Sequence, residues 1–431
     1  MNIEEIKSQL KGLKEQKGRI ARQFKSVESG TEEHAALIAA MQEVSTEVKT
    51  LESALKDCLN QQQEPSPTSV RKVLPPSQFN QPQNTYGESI TLNTLTASDD
   101  LSSWWAFVDA SANDSLYHSR AIWQFYGTQP YTHRELIVAV NRAGEIVGGL
   151  PFVTLATPVF GKFTVSQPFF NYGGPLTGYR DVFEALLQAC KKKAQSGDDK
   201  YVEIRTTVKT PLPASLKKVS MLRQLPTSSE KLDEELGAKV RAQVKKAEEN
   251  QPTFKVGGSE LLKDFYAVFA RNMRDLGTPV NGIDFFEALC NELRHNIHIA
   301  MVYIDGKPVG TGFLTTHRNM MEIPWASTVR DVNKMNINMW MYDNILKFAI
   351  TQKVEWFDFG RSTKDAGTYR FKKQWGARPF QHYWYSFAQE EESESSLNPD
   401  NPKFKLAINV WQRLPVWLTK RIGPFLSRQL P

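Results

Sequence analysis

Residues 358–376, DFGRSTKDAGTYRFKKQWG, hold the densest collection of groups able to do chemistry. Asp358 lies in an apolar strand with Val354, Trp356, Phe357 and Phe359. Gly360 breaks that strand, where the lack of a Cβ opens backbone conformations closed to other residues. Arg361, Ser362 and Thr363 follow at the strand end, and a short helix then carries Tyr369, Arg370, Lys372 and Lys373. A strand end leading into a cationic helix suits holding an anionic substrate and steadying an oxyanion. An ordinary strand–turn–helix with a solvated basic face is the alternative.

The elements that must position these residues follow from the rest of the chain. Its 431 residues, 40% hydrophobic and 23% charged, fit a soluble α/β (α+β) protein of about two to three domains. A net charge of +6 favours anionic partners without choosing among them. Cys58, Cys190 and Cys290 lie far apart and read as reduced thiols. The histidines show no metal-ligand spacing, so no metal is expected. The charged, helical N-terminus does not read as a signal peptide, and no apolar run approaches the ~20 residues of a membrane span.

Residues 1–59 carry two series of apolar or tolerant residues, Ile3, Ile6, Leu10, Leu13, Lys17, Ile20, Phe24 and Val27, then Leu37, Met41, Val44, Val48, Leu51, Leu55 and Cys58. Both alternate steps of three and four, the seam of an antiparallel coiled-coil hairpin turning at Ser29-Gly30. The hairpin resembles the long tRNA-gripping arm of seryl-tRNA synthetase; dimerisation or a spacer is the other use of such an arm. Residues 60–88, rich in Pro, Gln and Ser, read as a flexible linker.

From about residue 89 the chain becomes α/β. Residues 135–154 read as a hairpin, 181–194 as an amphipathic helix and 201–206 as a strand. The order recurs with the hairpin at 297–315. Val140, Gly144, Val147 and Gly148 match Val302, Gly306, Val309 and Gly310 at constant spacing. Both final strands carry an acid and then an arginine, Glu203/Arg205 and Asp358/Arg361. We infer two copies of one unit, 89–250 and 251–390. The connecting segment 229–249 is basic and helical. The next helix ends at Gly277 and Pro279, with Arg274 and Asp275 expected toward the cleft. Residues 391–431 form a basic, aromatic tail suited to packing on the units or to peripheral membrane contact through 403–431.

The motifs AQVKKAEENQ, FYAVFARNMRDLGTPV, EIPWAS, DFGRS and YRFKKQWGARP, with the tail NPKFKLAINVWQRLPVWLTKRIGPFLSR, resemble the FemAB-like proteins associated with exosortase/PEP-CTERM systems. That family is similar to the peptidoglycan-bridge FemABX transferases and is built from tandem GNAT-like units. The resemblance implies acyl transfer to an amine on a cell-envelope or exopolysaccharide precursor, in the cytoplasm or at the inner membrane. Acyl-CoA or aminoacyl-tRNA would be the co-substrate, with no tightly bound cofactor. The acceptor would be a nucleotide- or lipid-linked sugar or peptide, and residues 1–59 would meet tRNA. Lys372, in its Tyr-x-Phe-Lys pattern, would stabilise the oxyanion or the leaving oxygen.

For such a transfer Arg361, with Ser362 and Lys373 beside it, would hold a carboxylate or phosphate. Asp358 would take the amine's proton or simply pair with Arg361, and Tyr369 would be a general acid. The turn 329–336, VRDVNKMN, has no glycine for close approach to a pyrophosphate. The equivalent place in the first unit, 171–180, has three glycines and Arg180, so this stretch, with Asn171, Tyr172, Gly173 and Gly174, is where a phosphate is expected, a plain turn at Gly173-Gly174-Pro175 being the alternative. A non-catalytic scaffold for exopolysaccharide machinery is the rival of a different class.

Overall fold

The computed structural model describes residues 3–24, 27, 31–62, 76–388 and 402–430. They fall into two compact units, Met1–Val73 and Leu74–Pro431. In the first, α1 (Ile3–Gln23) and α2 (Glu32–Gln62) bury Ile6, Leu10, Ile20, Val44 and Val48 between them. Phe24 meets His34 edge-on and Lys14 pairs with Glu52 at 2.8 Å, so the helices run antiparallel. The turn at Ser29-Gly30, the side chains of Leu55 and Cys58, residues 63–75 and the stretch 389–401 lie outside the described residues.

In the second unit, strands and helices alternate as the apolar patterning requires. The first half supplies β1 (Thr91–Thr96), α3 (Ser102–Ala110), α4 (Arg120–Thr128), β2 (Thr132–Val140), β3 (Ile146–Thr157), β4 (Gly161–Val165), α5 (Arg180–Ser196), β5 (Val202–Thr206) and β6 (Lys218–Gln224). Two helices follow, α6 (Ser229–Glu235) and α7 (Ala238–Glu248). The single helix expected over 229–249 breaks at Leu236 and Gly237, both in extended conformation. The second half comprises β7 (Thr253–Gly257), α8 (Leu262–Leu276), α9 (Ile283–Leu293), β8 (Ile297–Ile304), β9 (Lys307–His317), β10 (Met320–Thr328), α10 (Ile337–Thr351), β11 (Trp356–Thr363), α11 (Gly367–Gln374) and β12 (Arg378–Gln381). Then come β13 (Tyr383–Phe387), α12 (Pro402–Trp411) and α13 (Val416–Ser427).

One sheet has the order β1-β2-β3-β4-β5-β13 and the other β12-β6-β11-β10-β9-β8-β7. Followed from β1 and from β7, they repeat one plan. Four antiparallel strands precede a parallel step, β4 to β5 in one sheet and β10 to β11 in the other. A helix spans each parallel step, α5 or α10, because parallel neighbours need a long crossover. The next strand is exchanged: β6 of the first half pairs with β11, and β13 from near the C-terminus pairs with β5. A boundary at residue 250 therefore does not separate the two sheets. One apolar core also draws on both halves, from Phe125 and Phe170 to Phe285, Phe313 and Trp375.

Residues 76–88, expected to belong to a flexible linker, are packed instead. Phe79 is buried, its ring 5.3 Å from that of Tyr172 and 5.4 Å from that of Phe380. Tyr86 lies against Tyr179, and Gln81 bonds the backbone at Thr207 and Lys209. Two aromatic anchors and a side-chain amide that satisfies backbone groups suffice to order a Pro- and Gln-rich segment.

Candidate active site

β10 and β11 pair in parallel only from Met320 to Glu322 and from Trp356 to Asp358. Beyond Glu322 and Asp358 both strands shift register against their outer neighbours, β9 and β6, and the parallel ladder stops. Gly360 makes this parting possible. Its φ is +75°, and a Cβ there would stand 3.0 Å from the Ile323 carbonyl oxygen. Gly360→Ala is expected to cost about 1–3 kcal/mol, seen as a lower urea midpoint at unchanged slope. An unchanged midpoint would mean that the strand end relaxes without cost.

The last paired residues are both acids, and both are buried, Glu322 at 3% exposure and Asp358 at 0%. Glu322 accepts hydrogen bonds from the Tyr117 hydroxyl at 2.6 Å and the Asn171 amide at 3.1 Å. Asp358 accepts from Ser220 Oγ at 2.9 Å and from the Gly360 N–H at 2.8 Å. Burial raises both carboxyls above their ordinary range, and for Glu322 the neighbouring Asp358 charge adds to it. His382 Nε2 lies 3.0 Å from Ser220 Oγ, completing a buried chain from imidazole through hydroxyl to carboxylate. Burial, then the Arg361 and Arg205 charges, lower His382 to about 3, so the ring is neutral.

Lys372 reaches this point from α11 and is itself buried. Its Nζ donates to the carbonyls of Gly360 and Arg361, each at 2.9 Å. These carbonyls belong to β11 where the ladder to β10 has ended, so the amine replaces strand partners. Burial lowers Lys372 to about 8, against the pull of Asp358 and Glu322. An ammonium has three N–H donors, so two bonds to carbonyls leave one for a reacting oxygen.

Other expected site residues are distributed differently. Asp358 does not pair with Arg361, which is exposed with its guanidinium 5.4 Å over the Trp384 ring. Arg205 stacks on the same ring at 4.5 Å and bonds Glu203 at 2.8 Å. Tyr369 is half-buried, packing against the core from α11, and Lys373 is exposed. Ser362 is buried, and its hydroxyl has no hydrogen-bond partner among the described residues. Arg274 is not directed into the cleft. It bonds Asp275 at 2.7 Å and the Leu414 carbonyl at 3.0 Å, tethering the C-terminal segment to α8.

The first-half stretch splits. Asn171 belongs to the acid pair, and Tyr172 packs beside it, its ring 5.1 Å from that of Tyr117 and 5.7 Å from that of His382. Gly173 and Gly174 do not form a phosphate cradle. Both N–H groups donate to the Arg205 carbonyl at 3.0 Å, and both carbonyls lie 3.0 Å from His118 Nε2. This segment fills the place beside β5 that corresponds to the parting beside β11, so the first half closes its own notch. A Cβ at Gly173 would meet Gln167 at 2.1 Å, so glycine serves close packing there.

Sequence reasoning missed Glu322, Tyr117, Ser220 and His382. Only Glu322 left a local signal, a lone acid inside the apolar run Met320-Met321-Glu322-Ile323.

Residues 237–373, which contain Glu322, Asp358 and Lys372, match the family model of the acetyltransferase (GNAT) domain. No curated protein matches the chain in sequence. The solved structure of FemX is similar in fold, with 14% identity, a TM-score of 0.52, and coverage of 69% of this chain and 98% of that one. A tandem GNAT protein from the clavulanic acid biosynthesis pathway superimposes with 11% identity and a TM-score of 0.47, over 71% of this chain and 100% of that one. The C-terminal domain of a putative lysylphosphatidylglycerol synthetase from Agrobacterium fabrum gives 12% identity and a TM-score of 0.46, over 67% and 90%. The protein thus has a FemX-like fold, carries an acetyltransferase (GNAT) domain at residues 237–373, and is an acyltransferase.

Proposed function

We propose that the protein is an N-acyltransferase that moves an acyl or aminoacyl group to an amine on a cell-envelope or exopolysaccharide precursor. The observation that carries this reading is the pair of buried acids facing a buried lysine where β10 and β11 part. Transfer needs a neutral amine, a polarised carbonyl and a route for the proton. A carboxylate raised by burial is a better base than a solvated one, and Glu322, held by Tyr117 and Asn171, is positioned to accept the amine's proton. The amine nitrogen then bonds to the acyl carbon. The free N–H of Lys372 stabilises the resulting oxyanion, the bond to the carrier breaks as the carbonyl re-forms, and the proton held by Glu322 passes to the departing sulfur or oxygen of the carrier. Asp358 sustains the Lys372 charge and, through Ser220, fixes His382. Arg361, exposed beside this cluster in sequence and without an ion pair among the described residues, supplies the cation for a phosphate of donor or acceptor. The reacting groups are sealed in this state, so substrate entry requires the side chains around them to move.

The donor is an acyl-CoA or an aminoacyl-tRNA, and binding tells them apart. The protein is mixed with acetyl-CoA, longer acyl-CoAs or charged tRNA and followed by thermal shift and filter retention. Saturable acyl-CoA binding weakened by Arg361→Ala marks a CoA-dependent sugar N-acyltransferase. Retention of charged tRNA, weakened by removing residues 1–59, marks an aminoacyl transferase. Binding of neither donor would overturn the proposal and favour a scaffold.

A further inference from the structure

α13 is inverted relative to a helix whose only partner is its own protein. Its inward positions are small: Thr419 and Gly423, one turn apart, are buried against the body. Gly423 packs so tightly that a Cβ would come within 2.9 Å of the Val280 backbone nitrogen. Three of its large apolar side chains are exposed instead, Trp417 at 67%, Phe425 at 50% and Ile422 at 38%, while Leu418 and Leu426 are half-buried. An amphipathic helix folding only onto its own core buries its aromatic residues and exposes its polar ones.

Fraying does not explain this exposure, because the helix is fixed on several sides. Ser427 Oγ donates to the Val280 carbonyl at 3.1 Å, and Arg274 holds the Leu414 carbonyl at 3.0 Å. The Val159 N–H donates to Gln429 at 3.0 Å, and Lys420 lies over the Tyr266 ring at 5.0 Å. The exposed apolar surface continues onto the segments it touches. Val159 is 54% exposed, Val410 on α12 53%, and Leu276 57%, next to Gly277, which faces Ile408 of α12.

Charge says what covers this face. Residues 402–430 contain Lys403, Lys405, Arg413, Lys420, Arg421 and Arg428, and no Asp or Glu. Arg413 and Arg421 are exposed, without an ion pair among the described residues. Trp417, Arg421 and Phe425 follow one another at four-residue spacing along the outer stripe of the helix. Exposed aromatics interleaved with unpaired cations match the boundary between headgroups and acyl chains of an anionic bilayer. We propose that the outer face of α13, with the adjoining part of α12, docks the protein on a membrane surface containing anionic lipid. Trp417 and Phe425 enter the interface while Arg413 and Arg421 meet lipid phosphates.

The test is flotation of the full chain with vesicles of phosphatidylcholine alone or mixed with phosphatidylglycerol. Binding is expected to the mixed vesicles, weakening as salt is raised. A basic residue near such a surface raises partitioning about fivefold, so the charge reversal Arg421→Glu is expected to lower it by more than about tenfold. Trp417→Ser with Phe425→Ser is expected to abolish flotation at an unchanged melting temperature, since both side chains are exposed. Absence of binding to mixed vesicles would overturn the proposal, as would wild-type binding by the folded double variant. A dimer in analytical ultracentrifugation that dissociates in the double variant, without vesicle binding, would instead assign the face to a second copy of the chain.

Discussion

Glu322→Gln is expected to lower acyl transfer by roughly 10²- to 10⁴-fold while leaving donor binding and the fold intact, the range for loss of a general base. The substitution keeps the side chain's size. Asn171, which donates to Glu322 Oε1, can turn its amide to accept from the new NH2 group, so the Tyr117 bond survives. The ability to take a proton is removed, together with the charge that pulls on Lys372.

A pH measurement separates this role from a structural one. Glu322 is raised above its ordinary value of 4.5 by burial and by Asp358. Below that pH the carboxyl is neutral in folded and unfolded chains alike. Above it, the unfolded chain releases the proton that the folded protein retains, so stability falls as pH rises, by about 1.4 kcal/mol per pH unit for each such group. The fall ends once pH passes the raised folded value. The melting temperature of the wild type is therefore expected to decline from pH 4.5 upward more steeply than that of Glu322→Gln. Equal slopes together with wild-type turnover would remove Glu322 from the chemistry.

Lys372→Ala is expected to unfold at a markedly lower urea concentration, a loss of about 3–5 kcal/mol, because one deletion breaks the compensation of a buried charge cluster. The carbonyls of Gly360 and Arg361 lose their donor, and Glu322 and Asp358 lose a cation that lowers both of them. Lys372→Met keeps most of the apolar stem, so it is the better variant for activity. Without an N–H for the oxyanion, turnover is expected to drop by about 10²- to 10³-fold. A folded Lys372→Met protein with wild-type turnover would make the lysine a strand-end cap and nothing more.

Local residue types made much of this protein legible. Apolar series with steps of three and four predicted the α1/α2 hairpin, whose core contains Ile6, Leu10, Ile20, Val44 and Val48. Matching hairpins around Gly148 and Gly310 predicted a repeated α/β unit, and both sheets follow one plan. The stretch 358–376 drew attention to Asp358 and Lys372, which the fold brings to one cluster. In each case the signal is a short-range pattern, of helix period, of strand alternation, or of charge in an apolar strand.

What the sequence could not decide depends on distant pairings. Nothing local to Lys218–Gln224 says that β6 crosses to β11, or that Tyr383–Phe387 returns to β5, because strand partners are chosen by the whole sheet. The same crossing brings Ser220 to Asp358, and β10 sets Glu322 beside Asp358 although 36 positions separate them in the sequence. The two halves also use one feature in opposite ways. Gly173 and Gly174 close the first notch against Arg205, while Gly360 opens the second around two acids and a lysine. Glycine-rich sequence permits either outcome, since it supplies only backbone freedom. Which outcome holds depends on the neighbour that occupies the space, and that neighbour is set by tertiary structure alone.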